Sequence, residues 1–207
     1  MKTDLSNIRN IIFDLGNVIL NLDFDASIRA FQELGLDRGV INRQQAYADP
    51  VFYQLETGAV SPEEFRNRVR EILNNPMASD QQIDDAWYAM IRDIPENRVE
   101  TLKRLKANYR IFLFSNTNEI HISRLHPEFE ESYGFAFPAL FEQDFYSHEI
   151  HERKPDLTSF EKVIQLAGVN PEETLFVDDL EKNIEAAKDA GLKVLWLKNG
   201  MEMADLF

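Results

Sequence analysis

The chain contains no cysteine, and this absence excludes several kinds of chemistry. Disulfides, thiolate zinc sites, iron–sulfur clusters and cysteine nucleophiles all need a thiol. The sequence has no run approaching about 18 apolar residues, so a membrane-spanning helix is not expected. The first residues lack the basic stretch and apolar run of an export signal, which predicts a cytoplasmic protein.

Basic residues are few relative to acidic ones. The 207 residues include 22 Lys and Arg against 36 Asp and Glu, which gives a formal charge of -14. This charge repels nucleic acid and anionic lipid, so neither is expected as a partner. Glycine and proline number only 8 each and hydrophobic residues make up 44%, as in a globular chain with a core. We expect a soluble monomer or homodimer.

Four short apolar segments predict buried β-strands. They are Arg9–Phe13, Arg110–Phe114, Thr174–Val177 and Lys193–Leu197. Because they are apolar almost throughout, both faces of each strand should be covered, as in a parallel sheet between two helix layers. Helix patterns alternate with these strands at Glu96–Ala107, Asp156–Ala167 and Leu180–Ala190. The sequence therefore predicts an α/β fold with a doubly wound, Rossmann-like parallel sheet.

The segment between the first two predicted strands has a different character. It shows no convincing strand, and its helix patterns are Phe24–Leu34, Arg43–Ala48, Phe65–Leu73 and Gln81–Ile91. The sequence Ser61-Pro62-Glu63-Glu64 has the form of a capping box that starts one of these helices. We predict an all-helical subdomain at residues 22–94, inserted into an α/β core formed by residues 1–21 and 95–207.

Polar residues follow three of the predicted strands at their carboxyl ends. Asp14 follows the first strand, Ser115 the second, and the pair Asp178 and Asp179 the strand after that. Open α/β sheets place their ligands at this edge. Adjacent carboxylates repel each other unless a cation lies between them, and oxygen ligands without cysteine favour a hard ion. The sequence therefore predicts a Mg²⁺ site that combines these three aspartates.

These motifs resemble those of the haloacid dehalogenase (HAD) superfamily. In chain order they are Asp14-Leu15-Gly16-Asn17-Val18, Ser115-Asn116, Lys154-Pro155 and Asp178-Asp179. The helical segment after the first strand resembles the cap of that family, and the match covers essentially the whole chain. The first two motifs are also similar to a bacterial subgroup that contains a glucose-1-phosphate phosphatase. The resemblance implies a magnesium-dependent phosphatase that acts on a small phosphorylated metabolite such as a sugar phosphate.

The resemblance also implies a role for each residue around the metal. Asp14 would be the nucleophile that forms an aspartyl-phosphate, and Lys154 would neutralise charge beside it. The metal ligands would be Asp14, the carbonyl of Gly16, and Asp179. Asp178 would bind the metal through water or hold Lys154.

Three further residues are predicted to bind the substrate together with Lys154. By the resemblance, Ser115 and Asn116 would hold the phosphoryl oxygens. In the helical segment, the stretch Phe52–Gly58, which contains Glu56, is open to two interpretations. The stretch is either a loop that reaches over the site, with Glu56 against the leaving group, or an ordinary turn in which Gly58 ends a helix.

One position departs from the family's pattern. Many phosphatases of the family carry an aspartate two positions after the nucleophile as general acid and base, whereas this chain has Gly16 there. Asp23, Asp25, His148 and His151 are candidates to replace it. Without a replacement we expect a preference for leaving groups that tolerate negative charge. Two alternatives stay open: a weak or inactive phosphate-binding or regulatory protein, and a 2-haloacid dehalogenase, for which the paired carboxylates would be unexplained.

Overall fold

The computed structural model describes residues 2–198 and 200–207 and contains one five-stranded sheet. Its strands are β1 (Asn10–Phe13), β2 (Arg110–Ser115), β3 (Gln143–Tyr146), β4 (Thr174–Asp178) and β5 (Lys193–Trp196). All neighbouring strands are parallel, and their order in the sheet is β3-β2-β1-β4-β5. The four predicted strands are present, and β3 is an additional edge strand.

Helices pack on the sheet and fill the segment between β1 and β2. In chain order they are α1 (Phe24–Leu34), α2 (Arg43–Ala46), α3 (Pro50–Glu56), α4 (Pro62–Ile72), α5 (Asp80–Tyr88), α6 (Glu96–Lys106), α7 (Glu119–Tyr133), α8 (Ser147–Ile150), α9 (Leu157–Ala167), α10 (Glu181–Asp189) and α11 (Met203–Leu206). Across residues 2–198 and 200–207, none of these helices has both the length and the apolar character needed to cross a bilayer.

Successive residues of the strands pack on opposite faces of the sheet. Ile11 and Phe13 of β1 belong to a buried cluster with side chains of α6, α7 and α11. Ile12, between them, belongs to a second cluster with side chains of α9 and α10. Both faces are therefore covered, as the continuous apolar pattern predicts. The doubly wound α/β fold is confirmed.

The segment between β1 and β2 has a hydrophobic cluster of its own. Aromatic side chains from α1, α3, α4 and α5 meet there: Phe31, Phe52, Phe65 and Trp87. The capping box at the start of α4 is present, because Ser61 Oγ accepts from the Glu64 backbone N–H and the Glu64 carboxylate accepts from the Ser61 N–H. This cluster, which also includes Ile120 of α7, buries the apolar faces of the helices and explains why the segment has helical periodicity.

The entry to the helical segment and the exit from it lie side by side. The Asn21 N–H donates to the Asp93 carbonyl, and the Arg92 N–H donates to the Asn21 carbonyl, both at 3.0 Å. Leu22 and Ile91 form an antiparallel bridge next to this pair. The helices are thereby connected to the sheet at the edge where β1 ends.

Candidate active site

The strand register places two of the predicted carboxylates next to each other. Phe13 of β1 pairs with Leu113 of β2 on one side and with Val177 of β4 on the other. The Asp14 N–H continues this ladder and donates to the Val177 carbonyl at 2.9 Å. Asp14 therefore lies beside Asp178 at the carboxyl edge of the sheet.

A buried lysine joins these carboxylates. Lys154 Nζ donates to Asp14 Oδ1 at 2.6 Å, to Asp178 Oδ2 at 2.9 Å and to the Phe114 carbonyl at 2.8 Å. The Lys154 side chain is only 1% exposed. Burial lowers its pKa, but the charges of Asp14 and Asp178 more than offset this and hold the pKa above its ordinary value. Lys154 is therefore a cation fixed between two carboxylates.

Asn116 fixes the backbone that carries Lys154. Its Nδ2 donates to the Lys154 carbonyl at 2.8 Å, and its Oδ1 accepts from the Lys154 N–H at 2.9 Å. Both ends of the amide are thus engaged with the backbone of Lys154. Ser115, at the end of β2, is 3% exposed and lines the same pocket as Asp14. Phosphoryl binding by Ser115 and Asn116 stays a prediction.

The adjacent carboxylates Asp178 and Asp179 have different surroundings. Asp178 is fully buried, and its Oδ1 accepts from the Leu180 N–H at 2.8 Å. Asn183 Nδ2 lies 3.0 Å from both of its oxygens, and Lys154 takes the remaining position on Oδ2. This geometry favours the interpretation that Asp178 holds Lys154. Asp179 is partly exposed and lines the pocket.

Asn17 belongs to the site, although the sequence reasoning gave it no role. Its backbone has a φ of +56°, a left-handed conformation that Asn adopts more readily than most residues. Its Nδ2 donates to Asp179 Oδ2 at 3.1 Å, and its Oδ1 accepts from the Leu22 N–H at 3.2 Å. Asn17 thus connects the loop after β1 to Asp179. An Asn directly after Gly16 was the available signal for such a turn.

Three carboxylates converge beside Lys154. Asp14, Asp178 and Asp179 each offer one oxygen, and these three atoms lie within 4.8 Å of one another. Burial raises the pKa of Asp14, Lys154 opposes this, and the other two carboxylates raise the pKa further. Since one ammonium cannot balance three carboxylates, the donor set fits a hard dication. Asp14 and Asp179 would hold a Mg²⁺ ion, with the Gly16 carbonyl as a further predicted ligand.

Asp14 and Asp179 line a pocket between the sheet edge and the helical segment. One part of its lining is apolar and comes from both sides: Leu20, Leu22, Phe24, Met90 and Ile91. Among the described residues, the cations in the lining are Arg43, Arg153, Lys154 and Lys182. Because the chain carries a charge of -14, this local group of cations is what allows the pocket to attract an anion.

Glu56 lines this pocket from the helical segment. It is the last residue of α3, and Gly58 follows with a φ of +66°, so Gly58 does end a helix. Glu56 Oε2 pairs with Arg153 Nη1 at 2.9 Å, and both side chains are about one-fifth exposed. Burial raises the pKa of Glu56, while Arg153, Arg43 and Lys182 oppose that shift. The interpretation in which Gly58 ends a helix therefore describes this stretch, and Glu56 reaches the pocket from the end of that helix. Substrate contact by Glu56 stays a prediction.

The four candidates for the missing acid and base lie elsewhere. Asp23 caps α1 and pairs with Arg92 at 2.9 Å. Asp25 is exposed in the first turn of the same helix. His151 Nδ1 lies 3.0 Å from the Thr57 carbonyl, and His148 lines a different cavity. In the part of the chain that the structure describes, none of the four lines the pocket that contains Asp14.

The side chain of Leu22 fills the space beside Gly16. A Cβ added to Gly16 would lie 2.5 Å from Leu22 Cδ1, which is closer than real contacts allow. Gly16 is not among the glycines with positive φ, so the obstacle to a side chain is Leu22 and not the backbone. An apolar group therefore occupies the place next to the position where the family often has its acid.

The comparison with protein families decides the assignment. The family model for haloacid dehalogenase-like hydrolases matches residues 8–191. The chain belongs to the haloacid dehalogenase-like hydrolase family. Its fold and the order of its four motifs agree with that assignment.

Individual relatives of this HAD hydrolase are similar over almost the whole chain. A D-ribitol-5-phosphate phosphatase of Bacteroides thetaiotaomicron is 30% identical over 196 residues, which are 94% of each chain. The structure of a HAD family enzyme from the same organism, in complex with magnesium and inorganic phosphate, has a TM-score of 0.89 at 34% identity. That similarity covers 97% of this chain and 99% of the other.

A dehalogenase is similar in fold only. The L-2-haloacid dehalogenase of Xanthobacter autotrophicus has a TM-score of 0.58 at 18% identity, over 92% of this chain and 77% of that one. At this level of identity the comparison carries no information on the reaction.

We predict that Mg²⁺ stabilises this HAD hydrolase against heat. Ion binding offsets the repulsion among the three carboxylates, and at about 100 times its Kd a ligand adds roughly 2.7 kcal/mol. For a chain of this size, that corresponds to an increase in Tm of roughly 5–10 °C. Asp179→Asn should remove most of the increase, whereas Asp189→Asn on the exposed end of α10 should keep it. A thermal melt with Mg²⁺ and with chelator measures this; equal increases in wild type and Asp179→Asn would contradict the site.

Proposed function

We propose that this HAD hydrolase is a magnesium-dependent phosphatase that hydrolyses a small phosphorylated metabolite through an aspartyl-phosphate on Asp14. The observation that carries the proposal is the position of Lys154 Nζ, which contacts both Asp14 and Asp178 at the end of the sheet. A phosphate monoester is close to a dianion at neutral pH, so a carboxylate attacks it only where positive charge neutralises both. Lys154 is such a charge, and it is already in place.

The contacts of Asp14 define its part in the reaction. Lys154 binds Asp14 Oδ1, which leaves Oδ2 free of that contact for attack on phosphorus. Because Lys154 is held by Asp178, the Phe114 carbonyl and the Asn116 amide, its charge needs no reorganisation during transfer. A Mg²⁺ ion held by Asp14 and Asp179 would supply Lewis-acid stabilisation of the phosphoryl oxygens.

The substrate class that we propose is a polyol phosphate or sugar phosphate. A relative that is similar over almost the whole chain is named as a D-ribitol-5-phosphate phosphatase, which supports this class. The pocket also combines an apolar part with charged side chains from the helical segment, which suits a small polar leaving group. We further propose that residues 22–94 are the cap that covers the site, because Glu56 and Arg43 of that segment line the pocket.

Two other functions are weighed against this one. A 2-haloacid dehalogenase would need no metal, so the convergence of Asp14, Asp178 and Asp179 would be unexplained. A phosphate-binding protein without turnover is favoured by one observation, which is that Leu22 and not a carboxylate lies beside Gly16. The test below separates these functions from a phosphatase.

The test is phosphate release by the purified protein. The substrates are ribitol 5-phosphate, a sugar 6-phosphate, a sugar 1-phosphate and 4-nitrophenyl phosphate, each with Mg²⁺ and with excess chelator. We expect turnover with Mg²⁺ and its loss in chelator. Full turnover in chelator, or halide release from 2-chloropropionate in place of phosphate release, would overturn the proposal. Binding of phosphate without turnover of any ester would identify a binding protein.

A further inference from the structure

The proposed reaction needs a proton donor that the loop after β1 does not supply. An alkoxide is a poor leaving group, so hydrolysis of a sugar or polyol phosphate depends on a general acid. Gly16 has no side chain, and Leu22 closes the space beside it. The donor must therefore come from another part of the pocket lining.

Most ionisable groups in the pocket lining already bind other residues of the site. Asp14 and Lys154 bind each other, and Asp179 accepts from Asn17 near the predicted ion. His121 Nε2 lies 3.2 Å from the Trp87 carbonyl, and burial lowers the His121 pKa to about 4. His121 is therefore neutral at pH 7, and a neutral imidazole would have to become an imidazolate anion to give up its proton, so His121 does not serve as the general acid.

Glu56 is the carboxylate that remains. Among the described residues of the lining, the other acidic side chains are Asp14 and Asp179, both of which belong to the nucleophile and metal positions. The remaining charged side chains are Arg43, Arg153 and Lys182, and arginine and lysine are too weakly acidic to serve as general acids near neutral pH.

The fold holds Glu56 firmly at the pocket. Its partner Arg153 lies 4.9 Å from the centre of the Tyr53 ring, so two residues of α3 bind one guanidinium. At Gly58 the chain approaches α8 so closely that a Cβ would lie 2.3 Å from the His148 carbonyl oxygen. Only glycine fits at such a contact, and it also allows the positive φ. The end of α3 is therefore docked against the segment that carries Lys154.

We propose that Glu56 is the general acid and base of this enzyme and replaces the carboxylate that the position of Gly16 lacks. This inference rests on the phosphatase function proposed above. It assigns the proton transfers to the helical segment, whereas the nucleophile follows β1 and the lysine lies in the loop before α9.

The two half-reactions balance with one proton on Glu56. In the first, Asp14 attacks phosphorus, the bond from phosphorus to the leaving oxygen breaks, and that oxygen takes the Glu56 proton and leaves as an alcohol. In the second, a water oxygen attacks the phosphorus of the aspartyl-phosphate and its proton passes to Glu56. The bond from phosphorus to Asp14 breaks, inorganic phosphate leaves, and both carboxyl groups return to their starting states.

The charges around Glu56 agree with this cycle. Burial raises its pKa, and the opposing cations are Arg153 from the loop before α9, Arg43 from α2 and Lys182 from α10. When a phosphate dianion enters the pocket, it neutralises these cations and adds negative charge near Glu56. Substrate binding therefore favours the protonated form that the first half-reaction needs.

The test compares leaving groups in Glu56→Gln. Glutamine keeps the size of the side chain and an oxygen for Arg153 but has no transferable carboxyl proton. We expect kcat/KM for ribitol 5-phosphate to fall by about 10²–10⁴-fold, the range for loss of a general acid. For 4-nitrophenyl phosphate, whose leaving oxygen is stable as an anion, kcat/KM should stay near that of wild type. Because the base is also lost, nitrophenolate should appear as a burst of about one equivalent per enzyme.

Two variants and a pH profile complete the test. Glu56→Asp should recover part of the activity on ribitol 5-phosphate, and Glu33→Gln, an exposed carboxylate on α1, should match wild type. In wild type, kcat/KM for ribitol 5-phosphate should fall as pH rises through the Glu56 pKa, and this limb should be absent in Glu56→Gln.

The outcomes are distinguishable. Equal losses on both substrates without a burst would show that Glu56 serves only in substrate binding or in folding of the protein. Wild-type rates on both substrates would show that Glu56 has no role. Either result overturns the inference and leaves the proposed phosphatase function standing. If wild type with Mg²⁺ hydrolyses neither ester, the proposed function itself fails and the inference fails with it.

Discussion

Asp14→Asn should abolish phosphatase activity while the protein stays folded. The amide of Asn is not a nucleophile, so the aspartyl-phosphate cannot form, and loss of a covalent nucleophile lowers kcat by on the order of 10⁶-fold. Asp14 also lies in a cluster where its charge is disfavoured by burial and by Asp178 and Asp179. Removing that charge relieves repulsion, so we expect the Tm without metal to stay the same or to rise.

The measurement pairs kcat/KM for 4-nitrophenyl phosphate with a thermal melt in chelator. Asp189→Asn, which removes an exposed carboxylate at the end of α10, is the control and should behave as wild type. Residual activity within 10-fold of wild type, checked against contamination by a second preparation, is incompatible with a nucleophilic Asp14. A strongly lowered Tm would instead mean that the carboxylate is needed for folding.

Lys154→Ala should impair both catalysis and stability. Loss of a preorganised charge costs roughly 10²–10³-fold in kcat. The substitution also leaves Asp178 buried without its cation, and breaking a buried ion pair in this way typically costs about 3–5 kcal/mol. Lys154→Ala should therefore lower the Tm whereas Asp14→Asn should not, although both variants lose activity.

Lys154→Arg should not restore activity. The Lys154 side chain is 1% exposed and its ammonium has three acceptors at 2.6–2.9 Å, so a larger planar guanidinium does not fit the same position. Lys188→Ala, on the exposed face of α10, is the control for loss of a lysine. Kinetics and urea unfolding of the three variants measure both effects. If Lys154→Ala or Lys154→Arg has the wild-type kcat, Lys154 does not take part in the reaction.

Much of the sheet could be predicted from local sequence. β1, β2, β4 and β5 are apolar almost throughout because helices cover both faces, and that pattern is visible without any tertiary information. α1 has the predicted bounds, since its periodicity and caps agree. β3 was missed because it starts with Gln143 and Asp144 at the partly exposed edge of the sheet. α7 was missed because Pro127 and an acidic run interrupt its helical pattern.

Local sequence also predicted which residues would meet at the carboxyl edge of the sheet. Asp14, Asp178 and Asp179 follow apolar strands, and parallel strands that end together bring their next residues together. The structure places these carboxylates within reach of one ion, with Lys154 among them. Their catalytic and metal-binding roles stay predictions for the variants above to test.

The surroundings of the carboxylates were decided by tertiary structure alone. The pairing of Glu56 with Arg153 joins residues 97 positions apart, and it depends on how α3 docks against α8. The side chain of Leu22 takes the place beside Gly16, and the amide of Asn116 binds the backbone of Lys154. Sequence by itself determined the strands and the residues at their ends, because burial and strand direction act locally. Which side chain reaches the pocket from the helical segment depends on packing between distant elements, and no local pattern encodes that.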